Sequence, residues 1–343
     1  MNRLVSIVMP VRNEAPYVEK AVRDALAQSG PGLSVEVLVA VGPSHDGTEA
    51  IVAAIARAHP EVRSIPNPAG VVPHGLNAAI RASKGDHIVR MDAHSRYPAD
   101  YVAVLIEGLE RLQADNVGGV WETMPANGSD KAWAIAKALS SRVGVGNAMF
   151  RLGVKEEREV DTVPYGCFRR ELFDRIGFFD EELLRNQDDE HNGRIIRNGG
   201  RIHLLPQVRI QYYGRDTIGK LWRMYREYGL FKPLVNMKLG APATVRQFVP
   251  PLFVLGIFGL LVLGVLHIGF LIAWACLMVL YFGVVKLYAL RTSMRAGRLS
   301  AFPWLVLALL AIHVAYGVGY LHGIIRFMIL RKRVPPAALP TNR

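Results

Sequence analysis

The first hundred residues alternate between short apolar runs and stretches with helical spacing. Residues 4–10 form an apolar run of the kind that a parallel sheet buries on both faces. Arg12, Asn13 and Glu14 follow in a loop, and Pro16 sits where a helix can begin. Val18, Ala21, Val22, Ala25 and Leu26 then keep helical spacing until Ser29-Gly30 stops it. Val35 to Val41 predicts a second strand, residues 42–47 a loop, and Thr48 the cap of a helix carrying Ile51, Val52 and Ile55. A third strand over 62–65, a short helix over 76–82 and a central strand over 87–91 complete the series. This alternation predicts a mostly parallel, doubly wound α/β sheet with ligands gathered at the strand C-termini.

Further along, residues 101–112 read as an amphipathic helix, 117–120 as a strand and 132–139 as a helix. Gly144, Gly146 and Gly153 suggest a mobile segment. In residues 216–231, Leu221, Trp222, Tyr225, Tyr228 and Leu230 interleave with Lys220, Arg223 and Arg226. Aromatic and cationic residues together suit a membrane interface, and Pro233 is expected to end that helix. Three apolar runs follow: Phe248–Leu266 (19 residues), Ile268–Val285 (18) and Phe302–Ile325 (24). About 20 apolar residues span a bilayer, so three membrane helices are expected, over about 248–266, 268–290 and 302–325. His267-Ile268-Gly269 makes the first two a hairpin.

Charge sharpens this division. The formal net charge is +12, yet no Asp or Glu occurs after Glu227, and twelve Lys or Arg lie beyond it. The first 227 residues hold the remaining 29 basic side chains against 29 acids. A neutral folded module is not a nucleic-acid domain, which carries its basic face on the module itself. Cys167 and Cys276 have no zinc-type spacing, and a disulfide between them is not expected, because Cys276 lies in an apolar run. The first residues lack the apolar core of a signal peptide, so residues 1–232 are expected to stay cytoplasmic, with a multi-pass membrane domain over 233–343. Arg291, Arg295 and Arg298 mark their loop as cytoplasmic. The count of three spans puts the C-terminus outside, whereas Arg331-Lys332-Arg333 favours the cytoplasm; both readings stay open.

The candidate chemistry centres on Asp92-Ala93-His94, at the end of the central strand. On extended backbone, side chains two residues apart point the same way. A carboxylate and an imidazole converging there suit a divalent cation such as Mn²⁺ or Mg²⁺. No third acid is obvious beside them. A second candidate is Asn186-Gln187-Asp188-Asp189-Glu190, where acids open a helix and complement its dipole.

Taken together, the segments 8–14 (Val-Met-Pro-Val-Arg-Asn-Glu), 44–48 (Ser-His-Asp-Gly-Thr), 90–94 (Arg-Met-Asp-Ala-His), Tyr97-Pro98 and 185–190 (Arg-Asn-Gln-Asp-Asp-Glu) resemble the family 2 glycosyltransferases. These are inverting enzymes of GT-A fold, and the bacterial succinoglycan-type exopolysaccharide branch is the most similar. The resemblance spans residues 4–232, with a nucleotide-sugar half over 1–98 and an acceptor half over 99–232. It implies nucleotide-sugar contacts at Pro10, Arg12, Glu14, Asp46 and Asp92, and a divalent cation on Asp92 and His94. It implies Asp188 as the base that deprotonates the acceptor hydroxyl, and Gln187, Arg215 and Arg226 as acceptor or phosphate contacts. The partners implied are a UDP- or GDP-sugar, a lipid-linked saccharide acceptor and the inner membrane. A polyprenyl-phosphate monosaccharide synthase and an inactive membrane scaffold are the alternatives. Two departures stand out. Val41-Gly42-Pro43 replaces the family's Asp-Asp-Gly, and residues 223–228 lack the Gln-X-X-Arg-Trp of processive synthases, which disfavours polymer synthesis.

Overall fold

The computed structural model of the protein describes residues 3–242, 244–332 and 334. In chain order the strands are β1 (Arg3–Val11), β2 (Leu33–Val41), β3 (Val62–Pro66), β4 (His87–Arg90), β5 (Ser95–Arg96), β6 (Asn116–Met124), β7 (Arg158–Glu159), β8 (Cys167–Arg169) and β9 (Ile202–Tyr213). The helices are α1 (Ala15–Leu26), α2 (Thr48–Ala58), α3 (Val72–Ala82), α4 (Tyr101–Arg111), α5 (Asp130–Leu139), α6 (Arg142–Val145), α7 (Met149–Leu152), α8 (Glu171–Ile176), α9 (Gln187–Arg197), α10 (Ile218–Leu239), α11 (Val249–Leu263), α12 (Ile268–Arg295) and α13 (Phe302–Gly323).

Two compact units emerge. The first comprises residues 1–122 and 152–212, and the second 123–151 and 213–333. They divide the chain differently from the sequence boundary at 232, which falls inside α10.

The first unit is built on one mixed sheet, ordered β3-β2-β1-β4-β8-β6-β9-β5, with β7 paired to β9. The apolar runs of β1, β2 and β3 and the short β4 pair in parallel, as the alternating pattern predicts. Beyond β4 the sheet turns antiparallel, because β8 returns against it with Val89 opposite Cys167. Val5, Ile7, Met9, Val37, Val39, Val89 and Met91 fill the core at this centre. The sheet therefore fixes β4 on both edges, and the loops at its C-terminal end inherit that rigidity.

Several local expectations change. Thr48 does not cap α2; Gly47 does, at φ +90°, and Thr48 is buried as the first helical residue. Over 144–153, Gly144 lies in α6, where a Cβ would strike the carbonyl of Ala138, whereas Gly146 and Gly153 directly follow α6 and α7 at φ +61° and +79°. Pro233 does not end its helix, since α10 runs on to Leu239. An internal proline costs roughly 3 kcal/mol in an exposed helix. Here Leu230, Phe231, Val235 and Leu239 are buried around it, and that packing outweighs the lost hydrogen bond. The same burial, with Tyr225 and Met224 inside, shows that one face of α10 is packed, while Trp222, Arg223 and Arg226 stay exposed.

His191, unexplained by the sequence, is the centre of an aromatic cluster. Its ring lies 4.5 Å from Phe179, 5.4 Å from Phe173 and 5.5 Å from Phe168, centroid to centroid. Burial depresses its pKa to about 3 from 6.5. A depressed imidazole adds stability that is complete above pH 6.5 and is lost as pH falls toward about 3. We expect His191→Leu to flatten this acid branch. At pH 4.5 it removes a penalty of about 2–3 kcal/mol. Thermal unfolding at pH 7 and pH 4.5 measures this, and an unchanged pH slope in the variant contradicts it.

The second unit holds three helices long and apolar enough to cross a membrane: Val245–Leu263, Ile268–Arg295 and Leu299–Ile329. They match the three expected spans, with the second extended to Arg295. Of the basic C-terminal triplet, Arg331 and Lys332 are described and Arg333 lies outside the described residues. Helices α10 and α13 pack backbone against backbone. A Cβ on Gly229 would meet the carbonyl of Tyr316, one on Gly319 that of Arg226, and one on Gly323 that of Leu230. Gly319 and Gly323 form the small-xxx-small spacing that lets apolar helices approach this closely.

Candidate active site

The site is built where β1, β2 and β4 end. After β1, Asn13 takes φ +54° and turns the chain into α1. The Glu14 N–H donates to the Thr48 hydroxyl at 2.8 Å, and the Ala15 N–H donates to Asp46 at 2.9 Å. Asp46 also accepts from the Thr48 hydroxyl (2.6 Å) and N–H (3.1 Å). These bonds, the hydroxyl's foremost, hold its carboxyl below the usual range. Asp46, expected as a nucleotide contact, is thereby the clamp joining the two loops. Arg12 binds the same region together, donating to the carbonyls of Pro43 and Gly70, each at 3.3 Å. Pro10 lies on β1 beside Ala40 of β2.

Strand β4 stops at Arg90, and Ala93-His94 form a turn. The Ser95 N–H bonds the Asp92 carbonyl at 3.2 Å, closing a turn. The period-two argument for their convergence fails there, and the side chains take separate partners. Asp92 receives Arg90 through Nε at 3.0 Å and Nη2 at 3.3 Å. Its N–H donates to the Tyr97 hydroxyl at 2.6 Å. His94 Nδ1 sits 3.4 Å from a carboxylate oxygen of Glu14. His94 Nδ1 is buried and makes no hydrogen bond. Glu14, expected as a nucleotide contact, is thus the acid beside His94.

Among the described residues no group of three or more His, Cys, Asp or Glu gathers as a closed metal site. The donors present are hard oxygens and one imidazole nitrogen, which suit Mn²⁺ or Mg²⁺. Such cations are often held by one or two protein ligands and completed by substrate phosphates. The orphaned His94 Nδ1 fits a site of that substrate-completed kind.

The acidic segment arrives from the far side. Asn77 fixes the preceding loop, donating to the Phe179 carbonyl at 2.8 Å and accepting from its N–H at 3.0 Å. Asn186, at φ +61°, then starts α9. The three acids of its first turn do not share one role. Glu190 is buried and pairs with Arg194 at 2.7 and 2.9 Å, which in turn holds the carbonyls of Ile176 and Phe178. Asp188 instead accepts from Arg90 Nη1 at 2.7 Å, with its side chain 31% exposed. Burial pushes its carboxyl above the ordinary value, against the pull of Arg90 and with the push of Asp92 and Asp189. Gln187 is buried beside it.

Arg90 was missed as a site residue. The signal was a cation inside an apolar strand, since a fully buried charge is almost always paired. One aromatic ring lies beside it: its guanidinium is 5.5 Å from the Tyr165 ring, which itself packs against Tyr97 at 5.8 Å and Trp121 at 5.6 Å. Arg215 and Arg226 belong to the second unit. Arg215 Nε is buried without a hydrogen bond, and Arg226 is exposed on α10.

The sequence pattern of the family described as Glycosyl transferase family 2 matches residues 6–177, from β1 through α8. The chain belongs to this family. As a family 2 member it is a glycosyltransferase. It is similar to the succinoglycan biosynthesis protein ExoA of Rhizobium meliloti (strain 1021), 29% identical with 96% of each chain covered. It is also similar to a dolichyl N-acetyl-alpha-D-glucosaminyl phosphate 3-beta-D-2,3-diacetamido-2,3-dideoxy-beta-D-glucuronosyltransferase of Methanococcus voltae. The two are 26% identical over 68% of this chain and 74% of the relative. Among solved structures, the mannosyltransferase PcManGT of Pyrobaculum calidifontis, in complex with GDP-Man and Mn²⁺, aligns with a TM-score of 0.56. It is 19% identical and covers 94% of this chain and 88% of that one. This likeness, with the mixed sheet, places the family 2 chain in the GT-A-like fold.

Proposed function

We propose that the protein is a membrane-anchored, inverting glycosyltransferase. In this reading it moves a sugar from a UDP- or GDP-sugar to a lipid-linked saccharide, in exopolysaccharide or cell-envelope glycan synthesis. The observation that carries the reading is the meeting of Asp92 and Asp188 on one guanidinium. Within a family 2 fold, it brings a carboxylate suited to the donor diphosphate together with one suited to the acceptor. The relatives support the substrate classes. One is named for succinoglycan biosynthesis, one for transfer to a dolichyl-phosphate-linked sugar, and one binds GDP-Man.

Asp92 and His94 would hold the cation, with Glu14 behind His94. When bound, Mn²⁺ or Mg²⁺ supplies positive charge against the leaving diphosphate. Asp188 takes the proton of the acceptor hydroxyl as its oxygen attacks the anomeric carbon. Attack opposite the departing diphosphate inverts that centre. The three apolar helices anchor the enzyme in the inner membrane with residues 1–232 on the cytoplasmic side.

Transfer of radiolabel from UDP- and GDP-sugars into a lipid extract tests this reading. Label is expected only when a lipid-linked primer has been made first. Labelling without primer points to bare polyprenyl phosphate as acceptor instead. Excess chelator should remove transfer, and added Mn²⁺ or Mg²⁺ should restore it. Full transfer in chelator overturns the cation assignment.

A further inference from the structure

Arg90 carries a charge on the central strand, is 5% exposed, and bonds two carboxylates that come from sites 96 residues apart in sequence. Asp92 lies two positions along the chain and takes the Nε and Nη2 edge. Asp188 arrives on α9 and takes Nη1. The backbone beneath is fixed on both sides. Arg90 pairs with Val8 of β1, and its N–H donates to the Gly166 carbonyl at 3.1 Å. The Tyr165 ring supports the guanidinium at 5.5 Å. The guanidinium is planar with donors in a rigid fork, so the directions of its bonds to the two carboxylates are linked.

Stability alone does not account for this arrangement. Burying a cation between two acids costs several kcal/mol of desolvation per ion, and apolar residues of similar volume often serve a core at least as well. An arginine here instead ties two positions together in space. We infer that Arg90 is a positioning residue that sets the acceptor-side carboxylate Asp188 relative to the donor-side carboxylate Asp92. This inference rests on the functional reading above. It adds that the geometry between donor and base is held by one side chain and not by the separate packing of two loops.

Lysine keeps the charge at this position but offers a single compact ammonium, which cannot hold both acids in the fork geometry. Arg90→Lys is therefore the informative variant, because Arg90→Ala leaves two partly buried carboxylates without their cation and is prone to misfold. Four full-length proteins are compared: wild type, Arg90→Lys, Asp188→Asn and the double variant. The readouts are kcat and KM for both substrates, nucleotide-sugar affinity by calorimetry, and thermal unfolding. In Arg90→Lys we expect kcat to fall about 10²-fold, the effect of a misplacement of about 1 Å. Nucleotide-sugar affinity should stay within about threefold and cooperative unfolding should persist, because fold and charge are kept. In the Asp188→Asn background the same change should cost less than about threefold, since no base is left to position.

Multiplicative losses in the double variant overturn the inference while leaving Asp188 as the base. Loss of cooperative unfolding in Arg90→Lys assigns Arg90 to the fold alone and overturns it too. If Asp188→Asn is fully active, the base assignment under the functional reading has failed, and that result is separate from either of the others.

Discussion

Asp188→Asn should lower kcat by roughly 10²–10⁴-fold, the usual worth of a positioned general base. Asparagine keeps the size and can still accept the Arg90 hydrogen bond, but it cannot take a proton from the acceptor. Nucleotide-sugar affinity should change little, because the donor-side groups Asp92, His94 and Glu14 are untouched. Glu190 provides the contrast. It is locked to Arg194, so Glu190→Gln should act on the stability of α9 more than on chemistry. Asp189→Asn should be mild in both respects. The pH profile adds a second check. Burial raises the Asp188 pKa above 3.8, and the base works only when ionised. Activity should therefore fall on the acid side at a pH above the ordinary carboxylate value, and this limb should vanish from the residual activity of the Asn variant. An active Asp188→Asn beside an inactive Asp189→Asn would show that the base is the neighbouring acid.

Gly319→Val should break the second unit. A Cβ at Gly319 would clash with the Arg226 carbonyl oxygen of α10, and a backbone atom cannot rotate away as a side chain can. Either the helices separate or α10 bends, and overpacking of this kind costs roughly 1–3 kcal/mol, with backbone clashes at the upper end or beyond. Gly229→Val makes the reciprocal test against the Tyr316 carbonyl. Gly283→Val on α12 is the control, because its Cβ meets nothing within 4 Å. Thermal unfolding in detergent should show the first two variants melting well below wild type and the third close to it. Equal melting of all three would show that the contact between α10 and α13 contributes little.

The parts of this fold that were legible in the sequence are those set by periodic apolar burial. β1 to β4, the helices between them and the three apolar helices announce themselves because each buries a repeating pattern. In the antiparallel half only β6 was legible, as the strand over 117–120; β8 has three residues and β5 and β7 two each, too short for a period to show, and the twelve-residue β9 was not read from the sequence. Asp92, His94 and Asp188 could be named from short motifs, but their partners could not. Arg90 meets Asp188 and His94 meets Glu14 only through the sheet, and no local pattern encodes contacts between residues 80 to 98 positions apart. Pro233 misled for a related reason. Its local rule is sound, yet tertiary packing around α10 overrides it.

The return of β8 against β4 has a consequence for how the chain is made. β4 is complete at residue 90, but the strand that pairs with its free edge begins only at residue 167. At about 5–20 residues per second, ribosomal synthesis leaves that edge open for roughly 4–15 s. An open strand edge is a template for pairing with a neighbouring chain. β4 has four residues and carries a charge at Arg90, both of which discourage such pairing. The guanidinium that sits between Asp92 and Asp188 in the folded protein is thus also the charge carried by this edge before β8 is made.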